Sequence, residues 1–570
     1  MTFSLRSRKY LLRVCLGLCW MVFLVRGQSL SAQPVGLEDQ DFVRKRIEGL
    51  PPVQKPGVKL PPPDLEFPSE SLQYEDADPG FRPELTPPSI QAAPVPRPKW
   101  PRLFTNYIRA GFGRFVTPVV QLHAANGMQG REPRYAWQVD YHHLSTPRGH
   151  TDEARFAENY GLIKGRYFLD EHSIAGHLRF RHDLQNFYGD SSIVRLEDIP
   201  DSIRQRYTRF EFQAAISRNH HPDVFNYNIP LRIRTYGEKT GNSEFHFSVL
   251  PSLNYRFNEL LGVGAETRLT YSNFTHQLTD ESEGRFFLSL APYATVNYSP
   301  LKLSGEAGLR FGTFSADTSI TRVFPHVKAR FHPLPDSALA IFAQATGGIH
   351  YQQRYELVDR NPFLAPLAFV LPSVENIHLA LGGEGRLGRV FWRVKGYYRS
   401  VDLQPVFFST PTDSLTPELP ATGTQGRFQI LYEEDFNETG AEIELQYDWE
   451  EKVRADLLLK FASFGLDQLT EYYHVPAFEA RIGGSYFFAE KVLARTGLHF
   501  IGERPLGLTP TGETLTGDPF FDLTLGAEYF FSRRFSVWAE GTNLLNMDYI
   551  RWNGYIERGL DFKIGGTFSF

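Results

Sequence analysis

Beyond residue 102 the chain repeats one two-residue rhythm. At the carboxyl end Phe562, Ile564, Gly566, Phe568 and Phe570 alternate with Lys563, Gly565, Thr567 and Ser569. Successive side chains of a strand point to opposite faces, so this spacing places an apolar row on one face and a polar row on the other. The rhythm recurs in Ala441, Ile443, Leu445, Tyr447 and Trp449 against Glu442, Glu444, Gln446 and Asp448. It recurs again in Val390, Trp392, Val394 and Tyr398 against Arg393, Lys395 and Arg399. The predicted strands run about 10 to 14 residues. Strands of soluble proteins average about five or six, and a tilted bilayer-crossing strand needs about 9–11.

The connections alternate too. Tight turns are predicted at 169–172, 257–260, 299–301, 387–389, 449–452, 489–491 and 531–534. Longer polar loops are predicted around 184–203, 274–284, 351–373, 402–437, 465–474, 503–518 and 544–557, and they follow odd-numbered strands. Short turns on one rim and long loops on the other are the mark of an outer-membrane barrel. Twenty-two strands can be placed, from 103–113 to 559–570. The expectation is therefore an all-β chain, a transmembrane antiparallel β-barrel over 102–570. Tyr486, Phe487 and Phe488, with Tyr529, Phe530 and Phe531, sit beside short turns as an interfacial aromatic girdle would.

Composition narrows the remainder. No stretch of about 20 apolar residues follows the N-terminus, which excludes a helical membrane bundle. Arg6, Arg8 and Lys9 precede an apolar run over 14–25 and the small-residue segment ending at Ala32, so residues 1–32 are expected to be a secretory signal peptide. Both cysteines, Cys15 and Cys19, lie inside it, leaving the remainder without disulfide or thiolate chemistry. Without that basic segment the formal charge of −5 becomes five units more negative. An acidic chain is a poor nucleic-acid binder, because phosphate contacts need a basic face. Residues 33–101 carry Pro51-Pro52, Pro61-Pro62-Pro63, Pro87-Pro88 and a series from Pro94 to Pro101. Proline removes ladder donors and favours extended polyproline II, so this stretch is expected to be a semi-stiff periplasmic segment.

The segment Asn543-Leu544-Leu545-Asn546-Met547-Asp548-Tyr549, the loop containing Trp552-Asn553-Gly554-Tyr555, and the strand ending at Phe570 together resemble the carboxyl end of TonB-dependent receptors. Residues 106–113, Asn-Tyr-Ile-Arg-Ala-Gly-Phe-Gly, resemble the opening strand of plug-poor barrels of Bacteroidetes-type bacteria. The resemblance implies an outer-membrane location among lipid and lipopolysaccharide. It also implies recognition of Phe570 by the barrel-insertion machinery, and solute uptake through an occluded lumen. The chain departs from the family in having only 33–101 where a folded plug and a TonB box would stand.

A barrel this wide encloses a lumen that its relatives plug. Three occluders come into question: the proline-rich segment, a long loop such as 351–373 or 402–437 folded inward, or a partner that is plug-like, TonB-like or a lipoprotein. Candidate lumen-facing charges are Arg179, Arg181, Glu266, Arg268, Lys328, Arg330, Arg393, Lys395, Arg399, Glu442 and Glu444. They could tie an occluder in place, or pair with one another across strands. His142-His143 and His220-His221 place adjacent imidazoles on opposite faces of a strand, which does not make a metal site. No catalytic motif, metal site or cofactor signature is present, so the expectation is a non-enzyme. Gly347-Gly348 and Gly382-Gly383 are expected to allow curvature or bulges. Two functions fit: uptake of a nutrient-sized solute, or a non-transporting scaffold that binds partners in an outer-membrane assembly.

Overall fold

The computed structural model describes residues 106–126, 134–147, 154–189, 203–218, 225–276, 281–317, 319–334, 339–366, 368, 370–409, 427–450, 452–489, 491–509, 512–557 and 559–570. The expected signal peptide, the proline-rich segment and His220-His221 lie outside the described residues.

Twenty-two strands close into one antiparallel barrel. They begin with β1 (Tyr107–Gly113), β2 (Thr117–Ala125), β3 (Tyr135–Thr146), β4 (Phe156–Phe168), β5 (His172–Asn186), β6 (Arg204–Arg218) and β7 (Asn226–Glu238). The eighth, β8, runs Ser243–Val249 and resumes at Ser252–Arg256. Next come β9 (Leu261–His276), β10 (Glu281–Tyr298), β11 (Leu303–Ser315), β12 (Ser319–Phe331), β13 (Leu339–His350), β14 (Ser373–Leu387) and β15 (Val390–Asp402). The series ends with β16 (Phe436–Trp449), β17 (Val453–Gly465), β18 (Phe478–Phe488), β19 (Val492–Ile501), β20 (Phe520–Phe530), β21 (Phe535–Thr542) and β22 (Asp561–Ser569).

Each strand pairs with its successor, and β1 pairs with β22 from Tyr107↔Ser569 to Gly113↔Lys563. All twenty-two predicted strands are present, with ends shifted by a few residues. The loop expected at 274–284 is a correction. The ladder continues through Phe274↔Glu283 to His276↔Glu281, so only 277–280 connect β9 to β10. The interruption in β8 falls at Pro251, which has no N–H to give to the ladder. The bulge between Thr346 and Gly348 sits where Gly347 lies; a Cβ there would stand 2.8 Å from the carbonyl oxygens of Glu375 and Asn376.

The outer face explains the rhythm. Ile564 is 61% and Leu381 64% exposed, and Phe112, Ile163, Val323 and Phe562 are each more than half exposed. Water would not tolerate so continuous an apolar belt, and a bilayer requires it. Tyr486, Phe488, Tyr529 and Phe531 project outward beside their short turns. The opposite face carries the charges.

At the closing seam, β1 and β22 approach through Gly111↔Gly565, and the Trp538 ring of β21 lies over both glycines. A Cβ on either would meet Trp538 Cζ2 at 2.6 Å. The Arg109 guanidinium rests 4.0 Å from that ring's centroid and reaches Glu528 of β20 at 3.3 Å.

Candidate functional site

The loop between β13 and β14 folds inward. It contains a short helix, α1 (Arg354–Arg360), which the sequence reading did not predict. Its apolar residues Leu357 and Val358 are 1% exposed, and Phe363, Leu364, Ala368 and Val370 are buried with them. Such residues have no lipid to face in a loop, so they bury against other loops. Phe187 after β5, Phe428 before β16, and Trp552 and Tyr555 before β22 complete one apolar cluster. Phe363 and Tyr555 stack with ring centroids 3.5 Å apart. Trp552 meets Phe407, Phe428 and His474 at 4.9 to 5.4 Å. We call this assembly the cap.

Polar contacts fix the cap to the wall. Arg354, 1% exposed, donates from Nε to Glu238 Oε1 at 2.5 Å and from Nη2 to Glu238 Oε2 at 3.4 Å. Its remaining donors reach the carbonyls of Ala365 (3.0 Å) and Ala368 (3.1 Å), which folds the loop around it. Glu238 also accepts from Tyr236 at 2.7 Å and Thr240 at 2.9 Å. Tyr207 donates to the Pro362 carbonyl at 2.6 Å, and Asn242 to that of Pro366 at 3.0 Å. Gln353 lies 2.6 Å from His246, and Tyr351 shares a hydrogen bond with Ser272. On the acidic face of α1, Asp359 pairs with Arg181 (3.2 Å) and Arg209, and Glu356 lies 3.7 Å from Arg234. Thus β5 to β9 carry one wall of the cap's seat.

The loop expected at 402–437 holds a hairpin, Gln404–Ser409 with Phe428–Glu433. The Glu433 carboxylate is buried and accepts from the backbone N–H groups of Asp467, Gln468 and Leu469 at 2.8 to 2.9 Å. Burial alone would raise its pKa, but these donors outweigh burial and hold it below the usual carboxylate range. A depressed pKa contributes stability above the unfolded value of about 4.3, and that contribution is lost as pH falls through the folded pKa. Glu433→Gln is therefore expected to speed amide exchange at 467–469 by about 10- to 100-fold at neutral pH, a charged acceptor being worth about 1.5–3 kcal/mol. The ratio should shrink in strong acid, where the wild-type carboxyl is neutral too; hydrogen exchange read by mass spectrometry checks both. Nearby His474 is pushed down to about 3 by burial and by Arg504, so it stays neutral within the cap.

The eleven candidate lumen charges divide into two groups. Away from the cap they pair across strands: Lys328 with Glu306 (3.0 Å), Lys395 with Glu442 (2.9 Å), and Arg393 with Glu384 (2.9 Å) and Glu444 (3.2 Å). Arg399 pairs with Glu375 (2.8 Å) and Glu438 (2.9 Å), Arg330 with Glu384, and Glu266 with Arg310 (3.1 Å). Near the cap, Arg181 reaches Asp359, Arg179 reaches Glu211 at 3.3 Å, and Arg268 lies 5.6 Å from the Phe287 ring. Sequence reasoning missed Arg209, Arg234, Glu238, Arg354, Glu356 and Asp359. The apolar residues of 357–370 were the available signal. His142 and His143 fall on opposite faces of β3, and His143 is occupied by Asn159 at 2.8 Å.

The cap leaves space beside it. A cavity of about 1170 Å³ extends along β4–β6 and β17–β22 and is bordered by Asp359, Phe363, Trp552 and Tyr555.

No family model matches the chain, and no curated protein matches it. Solved structures do. The FrpB iron transporter from Neisseria meningitidis (F3-3 variant) superposes with a TM-score of 0.61 at 10% identity, over 82% of this chain and 81% of its own. The ferric-catecholate import receptor Fiu from E. coli K12, in a closed form, gives 0.61 at 10% identity, covering 82% of each chain. The ferripyoverdine receptor of the outer membrane of Pseudomonas aeruginosa gives 0.60 at 12% identity, over 82% of this chain and 71% of its own. At such identities the likeness is one of fold.

Proposed function

We propose that this barrel, which shares its fold with outer-membrane iron transporters and receptors, is an uptake pore stoppered by its own loop. The observation that carries the reading is the Arg354–Glu238 pair, which anchors α1 to the wall inside a ring of strands. A lipid-facing skin and a charged bore fit passage of a polar solute. The inward loop supplies the occlusion that so wide a barrel needs. The solved neighbours are named for iron and ferric chelates, so ferric chelates are the first solutes to try. Residues 1–32 would direct export and be removed, and 33–101 would lie in the periplasm, where a TonB-like or plug-like partner could engage them. Phe570 would be read by the insertion machinery, and no chemistry on the solute is expected.

The scaffold reading has one observation in its favour: four loops bury a shared apolar core, as a permanently closed lid would. Planar-bilayer recording separates the two. Uptake predicts current when 352–371 are replaced by a short Gly-Ser link. A barrel that stays silent after this replacement, while remaining folded and holding stoichiometric partners, would leave the scaffold standing.

A further inference from the structure

Beneath α1 the wall carries more guanidinium than carboxylate. Arg179, Arg181, Arg209, Arg232 and Arg234 converge there, and the wall acids among them are Asp183, Glu211 and, opposite Asp183 on β4, Glu158. Glu211 alone is shared by Arg179, Arg232 and Arg234. On the far wall the charges stand closer to balance: Lys395 pairs with Glu442 and Lys328 with Glu306, and although Arg330 and Arg393 share Glu384, Arg393 also holds Glu444. The deficit is filled by α1, whose Glu356 and Asp359 stand one turn apart on one helical face. Even so, the Nε atoms of Arg179 and Arg209 are buried and make no hydrogen bond among the described residues.

Between this wall and α1 lies a cavity of about 190 Å³, lined by Arg179, Arg181, Arg209 and Arg234 with Tyr355 and Asp359. That is room for about six waters, or for a small organic acid. Guanidinium forks match carboxylate oxygens in pairs.

We propose that this arginine wall is a binding site for a small dicarboxylate or a solute bearing paired carboxylates, and that Glu356 and Asp359 occupy it as an internal competitor. A solute whose carboxylates replace those of α1 takes over its anchors, and binding then favours the state in which the loop has withdrawn. The proposal gives the uptake reading a solute class and rests on it for its physiological purpose. The site itself is tested by binding, so the two can fail separately.

The test is calorimetric titration of the full-length protein in detergent with succinate, with inorganic phosphate, and with neutral erythritol. Glu356→Gln/Asp359→Asn removes the competitor and is expected to tighten succinate binding by at least about tenfold, because binding no longer has to displace an occupant. Arg209→Gln should weaken it by a similar factor. Arg389→Gln, at a rim turn where Arg389 meets Glu450, should match wild type. Heat-modifiable gel mobility confirms that each variant is folded. Unchanged affinity in the double variant or in Arg209→Gln overturns the site. Tighter binding of phosphate than of succinate overturns the carboxylate assignment. Succinate binding in a barrel that stays silent after loop replacement would retain the site and refute uptake.

Discussion

Arg354→Ala is expected to open the barrel. The substitution leaves Glu238 buried, 9% exposed as a whole residue, with its cationic partner gone. It also removes the donors that hold the Ala365 and Ala368 carbonyls. Breaking a buried pair from one side costs about 3–5 kcal/mol, because the surviving charge is uncompensated. If that energy favours the loop-out state, its population rises about 10²- to 4 × 10³-fold at about 1.4 kcal/mol per decade. Single-channel recording should then show frequent openings that wild type lacks, and a protease should reach 354–370. Replacing both partners by apolar residues, Arg354→Met with Glu238→Leu, should largely restore closure, since well-packed apolar substitutes for buried pairs are often neutral. A closed, protease-resistant Arg354→Ala barrel would show that the apolar cluster alone holds the cap.

The second large effect lies at the seam. Glu528 is 2% exposed and gathers Arg109 of β1 (3.3 Å), Arg495 of β19 (3.4 Å) and the Ser536 hydroxyl of β21 (2.6 Å). Its carboxylate therefore joins the first strand to the last part of the chain. Glu528→Ala strands Arg109 beside Trp538 and is expected to cost about 3–5 kcal/mol. The readout is the temperature at which the compact band on an unboiled gel converts to the unfolded one, which should fall clearly. Glu442→Ala is the matched comparison. Its partner Lys395 is one-third exposed, so the expected cost is about 1 kcal/mol or less. Equal losses in the two variants would mean that the seam has no special dependence on Glu528.

The strands were legible because lipid outside and water inside impose opposite chemistry on neighbouring residues, and that contrast is written locally. Even β2, β7 and β21, whose rhythm is weak, formed where it placed them. The seat of the cap was not legible. Arg354 meets Glu238 across 116 positions and Tyr207 meets Pro362 across 155, and no local period encodes such pairs. The sequence did offer a hint in Leu357, Val358, Phe363, Leu364, Ala368 and Val370, too apolar for a loop that faces water. Charges such as Lys395 and Glu442 could be assigned to a face by counting, yet counting could not say which of them met the loop and which met each other. That depended on where α1 came to rest.

The hydrogen bond from the Phe570 N–H to the Asn106 carbonyl, 3.0 Å, makes the two extremities of the barrel neighbours. A circular permutant that joins these residues by a short linker and starts instead at the 388–389 turn would keep every ladder. Apart from the excised residues 1–105, it would differ only in the order of synthesis. In the natural order the ring shuts between the first strand made and the last, a contact of very long loop closure, so completion must wait for the whole chain. In the permutant that junction becomes an ordinary hairpin formed midway, and closure moves to β14 and β15, whose thirteen paired positions offer a longer edge than the seven joining β1 to β22.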